Sequence, residues 1–102
     1  MTGEILSDEN KLALRDICQR CGLPETTVRA YVEEGVIEVQ GDDVARWRFS
    51  EVTVVRALKA HRLQRDLRLN AAGAALALDL MEQIDELKSR LRRLEKDVPF
   101  EP

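Results

Sequence analysis

The last third of the chain contains a regular row of leucines and one isoleucine in an otherwise charged segment. The row consists of Leu80, Ile84, Leu87, Leu91 and Leu94. Spacings that alternate between four and three residues place these side chains along one stripe of an α-helix, as in the seam of a coiled coil. The helical pattern runs from residue 71 to about residue 96, roughly 39 Å at about 1.5 Å per residue. Such a helix extends beyond the small domain that precedes it.

This stripe predicts a homodimer with the five residues at its interface. The preceding domain has too little surface to cover the stripe, whereas a second copy of the chain supplies a matching one. About two heptads are fewer than the three or four that identify a coiled coil by sequence, so an amphipathic helix packed on its own domain remains open. The run at residues 71–77 is mostly alanine, which either allows close approach of another helix or simply favours helix formation.

Two shorter helices are predicted near the start of the chain, joined by a tight turn. The first includes residues 16–21 and ends at Gly22, a residue typical of helix C-termini. Pro24 then leads into a second helix over about residues 25–34. Two short helices around a glycine-containing turn are typical of a helix-turn-helix.

The segment after the second helix predicts a β-hairpin. Residues 36–40 and 46–49 have the composition of strands, and residues 41–43 that of a hairpin turn. Strand alternation would place Trp47 and Phe49 on one face, towards the core, and the neighbouring arginines on the other. This hairpin would form the wing of a winged helix-turn-helix.

A third helix is predicted from Ser50, a good N-cap, to about residue 65, followed by a break at residues 67–69. Its apolar positions are Val52, Val55, Leu58 and Leu63. Asn70 is positioned to cap the final helix. These elements predict a mainly α protein. Its parts are a polar leader at residues 1–11, a winged helix-turn-helix at 12–66, a C-terminal helical dimerisation region at 67–96 and a tail at 97–102.

The residues argue against catalysis, metal binding and a membrane location. Cys18 and Cys21 form a CxxC pair, but it lies at the C-terminal end of a helix, where the helix dipole opposes a thiolate. A structural zinc site needs four ligands, and His61 is the single histidine. No segment approaches the roughly 20 apolar residues of a membrane span or the pattern of a secretion signal. We therefore expect a cytoplasmic protein that is not an enzyme and has no cofactor.

The charge balance makes binding to DNA an unfavourable interpretation. The 102 residues include 16 Lys and Arg against 19 Asp and Glu, a formal net charge of -3. Binding to nucleic acid depends on cations that neutralise phosphates. The second helix would enter the major groove in a DNA-binding relative, yet its polar positions carry three acids, Glu25, Glu33 and Glu34, against Arg29. Arginines of the predicted wing keep a weaker DNA interpretation open.

Several segments in this order resemble a known family. They are DICQRCG at residues 16–22, GVI at 35–37, WRF at 47–49 and AALALDLMEQIDELK at 74–88. Over about residues 12–96 the chain resembles the MerR-like winged helix-turn-helix proteins and, among them, the CbpM family of chaperone modulators. DNA-binding MerR proteins usually have a proline and an arginine soon after the second helix, and residues 35–40 contain neither.

The resemblance implies an inhibitor that binds the J-domain of the DnaJ-like co-chaperone CbpA and prevents it from stimulating DnaK. It also implies that the J-domain presents a basic helix to an acidic DnaK surface. An acidic helix-turn-helix would compete for that helix by charge complementarity. We predict that Glu25, Arg29, Glu33 and Glu34 bind this partner. The alternatives are a MerR-like transcriptional regulator that binds DNA and an oligomerisation module with no specific client.

Overall fold

The computed structural model describes residues 12–97, and over this range the chain forms four α-helices. They are α1 at Leu14–Cys21, α2 at Glu25–Glu33, α3 at Glu51–Leu67 and α4 at Ala71–Asp97. A short 3₁₀ turn at Val44–Arg46 lies between α2 and α3. The mainly helical fold is confirmed. The predicted leader, residues 1–11, lies outside the described residues, as does the predicted tail apart from Asp97.

Local sequence signals place the helix ends close to their predicted positions. Gly22 follows α1 with a φ of 67°, a left-handed conformation in which a Cβ atom is strained. At the other end of α1, the Asp16 carboxylate accepts a hydrogen bond of 3.0 Å from the backbone N–H of Ala13. Ser50 is the N-cap of α3 as predicted, although its hydroxyl lies 3.1 Å from Thr53 Oγ1 and bonds to no backbone N–H.

Asn70 begins α4 with a side-chain cap, since its Oδ1 accepts a hydrogen bond of 2.7 Å from the backbone N–H of Gly73. Loss of such a cap costs about 1 kcal/mol. We expect Asn70→Ala to lower the free energy of unfolding by about 1 kcal/mol and Asn70→Asp, which keeps an acceptor, to retain most of it. Urea unfolding followed by circular dichroism measures both, and an unchanged midpoint for Asn70→Ala would contradict the assigned cap.

The core forms where α1, α2 and α3 meet the loop between α2 and α3. Its largest fully buried side chains are Tyr31, Phe49, Ile17, Val28 and Val36. The hydroxyl of Tyr31 donates a hydrogen bond to Gln64 Oε1, which joins α2 to α3. Gln64 in turn donates from Nε2 to the carbonyl of Leu69 at 3.2 Å, so the same side chain also holds the turn before α4.

Small side chains allow α4 to pack along α3. Ala57 and Ala60 of α3 are fully buried, as is Ala74 of α4. Alanines at these positions leave room for the two helices to approach closely. The alanine-rich start of α4 therefore serves helix packing as well as helix formation, and the long remainder of α4 extends away from this contact.

The predicted β-hairpin wing is wrong. Between α2 and α3 the chain forms one isolated bridge, in which Gln40 and Arg48 exchange backbone hydrogen bonds of 3.0 and 2.9 Å. The segment predicted to turn and begin the second strand instead contains the 3₁₀ turn at Val44–Arg46. The Asp43 side chain stabilises this turn by accepting a hydrogen bond of 3.2 Å from the N–H of Arg46.

Backbone hydrogen bonds to other parts of the chain explain why the strands are absent. Val36 and Ile37 are both buried, whereas neighbouring residues of a wing hairpin with one solvated face would alternate between core and solvent. Their N–H groups bond to the carbonyl of Tyr31 at 2.8 and 3.3 Å, so they complete the end of α2. Phe49 exchanges two bonds of 2.8 Å with Leu12, which precedes α1, and has no partner strand in the loop.

The two aromatic residues of the predicted second strand nevertheless pack together. The rings of Trp47 and Phe49 lie 6.0 Å apart at an interplanar angle of 86°, an edge-to-face contact. Phe49 is buried, whereas Arg46 and Arg48 are exposed. The predicted separation of aromatic and cationic side chains is therefore present without the strand.

Candidate functional site

Three of the four residues predicted to bind a partner share one exposed face of α2. Glu25, Arg29 and Glu33 follow one another at intervals of four residues, which at about 100° per residue places them within roughly 80° of helix rotation. All three are exposed. Val28 and Tyr31 are buried on another side of the helix. The core therefore holds α2 so that this face points to solvent.

Glu34 lies apart from these three residues. The helix ends at Glu33, and Glu34 is its C-cap, with φ of -90° and ψ of 2°. Its backbone N–H donates a hydrogen bond of 2.9 Å to the carbonyl of Ala30. The next residue, Gly35, has a φ of 79° and turns the chain. The structure thus groups the first three residues on the helix and places Glu34 at the turn that follows.

The cation on the α2 face is paired within the helix. Arg29 Nη1 lies 3.5 Å from Glu25 Oε2, and both side chains are exposed. An exposed pair of this kind contributes only about 0.2–0.5 kcal/mol to stability. Its main effect is on charge, because Glu25 and Arg29 neutralise each other while Glu33 leaves the face net negative.

The predicted dimer residues form an uncovered stripe on α4. Leu80, Ile84, Leu87, Leu91 and Leu94 are between 48% and 61% exposed. From residue 79 to residue 96 every side chain is exposed except Ser89, which is half-buried. Apolar packing against the chain's own domain is confined to the first turns of α4, where Ala74, Ala75 and Leu78 are buried, and ion pairs with α3 extend the contact to Glu82.

Sequence analysis missed other exposed apolar residues. Leu76 is 60% exposed and precedes Leu80 by four residues, so it extends the α4 stripe by one turn. The interval of four residues between Leu76 and Leu80 is the sequence signal for it. On α3, Val52 is 72% exposed and Val55 54%. Their helical spacing was recognised, but the sequence does not reveal that they face solvent.

The cysteine pair does not form a reactive site. Cys18 and Cys21 are free and half-buried, and burial raises the pKa of both thiols, with the Glu25 carboxylate adding to the effect at Cys18. A raised pKa keeps a thiol protonated and poorly nucleophilic at neutral pH.

Within residues 12–97, no group of three or more His, Cys, Asp or Glu side chains is arranged to hold a metal ion. In the same range, no helix is both long and apolar enough to cross a membrane.

Comparison with known proteins identifies the family. A family model described as "MerR HTH family regulatory protein" matches residues 12–96, which include all four helices except the last residue of α4. The chaperone modulatory protein CbpM of Coxiella burnetii (strain Dugway 5J108-111) is 35% identical over 94 residues, 92% of this chain and 89% of the relative. The chain belongs to the CbpM family.

Other CbpM proteins are similar over a shorter range. Those of Pseudomonas putida (strain W619) and Pseudomonas entomophila (strain L48) are 32% and 33% identical over 79 residues, 78% of each chain. The CbpM relatives are named as chaperone modulators and the MerR family as regulatory, and neither name describes an enzyme. The predicted resemblance is confirmed, and as a member of the CbpM family this chain has the role of a chaperone modulator.

Proposed function

We propose that this chain binds the J-domain of a CbpA-type, DnaJ-like co-chaperone and inhibits its stimulation of DnaK. The proposal rests on the exposed, net negative face of α2 in a chain of the CbpM family. A basic helix of the J-domain that serves an acidic DnaK surface is also attracted to an acidic surface here. Binding of that helix to α2 would prevent its contact with DnaK.

Exposed acids beyond α2 support the same partner. Glu38, Asp42 and Asp43 lie in the loop after α2, and all three are exposed, as are two arginines, Arg46 and Arg48, so these side chains leave the loop net negative. Charges act over about 8–10 Å at physiological salt, so these acids attract a basic surface without touching it. Their effect is on the rate of association more than on the lifetime of the complex.

The same geometry makes the DNA alternative less favourable. Arg29, the one arginine of α2, is already paired with Glu25. A helix that enters the major groove needs unpaired donors for bases and cations for phosphates. On this face Glu33 would instead lie near phosphate and repel it. A DNA-binding transcriptional regulator is the second candidate. The observation that favours it is the match to the MerR family model.

A calorimetric titration with a purified J-domain from a CbpA-type co-chaperone tests the proposal directly. A parallel titration with duplex DNA at the same salt concentration tests the alternative. We expect saturable binding to the J-domain and none to DNA. Binding to DNA alone, with affinity falling steeply as salt rises, would contradict the proposal and support a transcriptional regulator.

Charge reversal separates the contributions of the predicted residues. We expect Glu33→Lys with Glu34→Lys to weaken J-domain binding by at least about tenfold, because each reversal turns attraction into repulsion. The two single variants carry the same charge change at different positions. Glu33→Lys is expected to have the larger effect, since Glu33 shares the α2 face with Glu25 and Arg29. Unchanged affinity in the double variant would exclude this surface.

A second copy of the chain is the proposed partner of α4. Nothing in residues 12–97 covers the stripe from Leu76 to Leu94, and an identical stripe is complementary to it in size and character.

A further inference from the structure

The N-terminal half of α3 presents apolar side chains to solvent. Val52, Val55 and Leu58 are 72%, 54% and 39% exposed and follow one another at intervals of three residues. Valine is a poorer helix former than alanine or leucine, so helix stability alone does not account for the two valines. Within the described chain, this face of α3 has no covering element.

An open cleft of about 420 Å³ adjoins this face. Val52 and Arg56 line it from α3, Glu38 from the loop after α2, and Asp79 and Glu82 from α4. The exposed Val52 therefore stands beside three carboxylates that belong to two other parts of the chain. A partner placed here would contact an apolar residue and acidic groups together.

Arg56 does not make the cleft positive. Its side chain is only 19% exposed, and its Nη2 lies 2.8 Å from Asp79 Oδ1 while Nη1 contacts Glu82. Its Nε donates a hydrogen bond to the carbonyl of Val36. The guanidinium is thus paired with two carboxylates, while Glu38, which also lines the cleft, has no ion pair within the described chain. The charged side chains that line the cleft are therefore net negative, and Arg56 is already paired with carboxylates of the chain itself.

We propose that Val52 and this cleft form a second docking surface for a basic amphipathic helix. The inference rests on the proposed function, because the occupant is a basic helical segment of the J-domain. Cationic side chains of that segment would lie near Glu38 and the exposed carboxylates of α4, while its apolar residues cover Val52. Charge complementarity favours this occupant over an acidic peptide or DNA. The cleft also reaches Gly35, so its lining begins two residues after Glu33 of the α2 face.

Two lysine substitutions on α3 test the surface. Val52→Lys places a positive charge beside the cleft, whereas Leu67→Lys makes the same kind of change at the opposite end of the helix, where Leu67 is 61% exposed. Calorimetry with the purified J-domain is expected to show at least about tenfold weaker binding for Val52→Lys and less than about twofold change for Leu67→Lys. Glu38→Gln, which removes one carboxylate, is expected to weaken binding about two- to threefold. Circular dichroism establishes that each variant is folded.

The outcomes distinguish the inference from the proposed function. Wild-type protein that fails to bind the J-domain would overturn the proposed function and the inference together. Wild-type binding with equal affinity for Val52→Lys would overturn the docking surface and leave the proposed function standing. Equal losses in the Val52 and Leu67 variants would also overturn it, because the effect would not be local. A change in sedimentation of Val52→Lys with unchanged J-domain affinity would assign the face to a second copy.

Discussion

Phe49→Ala is expected to lower the free energy of unfolding by about 3–5 kcal/mol. Phe49 is 1% exposed and packs edge-to-face with Trp47. Its backbone also holds Leu12 through two hydrogen bonds, so a cavity at this point loosens the start of the helix-turn-helix as well as the core. Since small domains have total stabilities of about 5–15 kcal/mol, this one change removes a large fraction.

Urea and thermal unfolding followed by circular dichroism measure this loss. Phe49→Leu is the matched control, because leucine fills part of the same space and leaves the backbone bonds to Leu12 intact. We expect the leucine variant to retain most of the stability that the alanine variant loses. A loss below about 1 kcal/mol for Phe49→Ala would contradict the placement of this ring in the core.

Leu87→Lys is expected to weaken self-association about 100-fold. In a homodimer, each of the two Leu87 side chains would lose about 1.5 kcal/mol or more of burial, and about 3 kcal/mol corresponds to a factor of roughly 100. The lysine adds the cost of bringing like charges to the centre of the stripe. Sedimentation velocity over a range of concentrations measures the shift from dimer to monomer.

Ser89→Lys is the matched control for this prediction. Ser89 lies two residues further along α4 and does not belong to the leucine stripe, so an added charge there leaves the proposed interface intact. We expect its self-association to stay within about threefold of the wild type. Equal loss in both variants would point to helix stability as the cause, and a wild-type protein that is monomeric throughout would exclude the dimer.

The helices could be predicted because their signals lie within a few residues of one another. Gly22 ends α1 and Asn70 begins α4 through contacts inside the same turn. The wing could not be predicted in this way. Whether Val36 and Ile37 form a strand depends on the Tyr31 carbonyl that takes both of their N–H groups, and Phe49 pairs with Leu12, 37 positions away. Strand composition does not specify these partners.

The candidate site residues show the same difference between local signals and long-range contacts. Intervals of four residues place Glu25, Arg29 and Glu33 on one face of α2, whereas the position of Glu34 depends on where α2 ends. Periodicity identified Val52 and Val55 as apolar positions but not which side of α3 the rest of the chain covers. The cleft beside Val52 requires Arg56 to join α3 to carboxylates 23 and 26 positions away, a long-range contact that no local pattern encodes.

The uncovered part of α4 makes its helix–coil balance sensitive to association. Residues 71–78 pack on the domain and supply the helical nucleus, which is unfavourable to form in a free chain. Each later residue then extends the helix, and the equilibrium constant for adding one residue is about 1–1.6. Local pairs such as Glu86 with Arg90, at 3.3 Å, contribute only a few tenths of a kcal/mol. In a lone chain the helix therefore frays progressively towards its C-terminal end. A second helix along the leucines would suppress this fraying over the whole segment, so amide hydrogen exchange beyond residue 80 would report the fraction of chains that are paired.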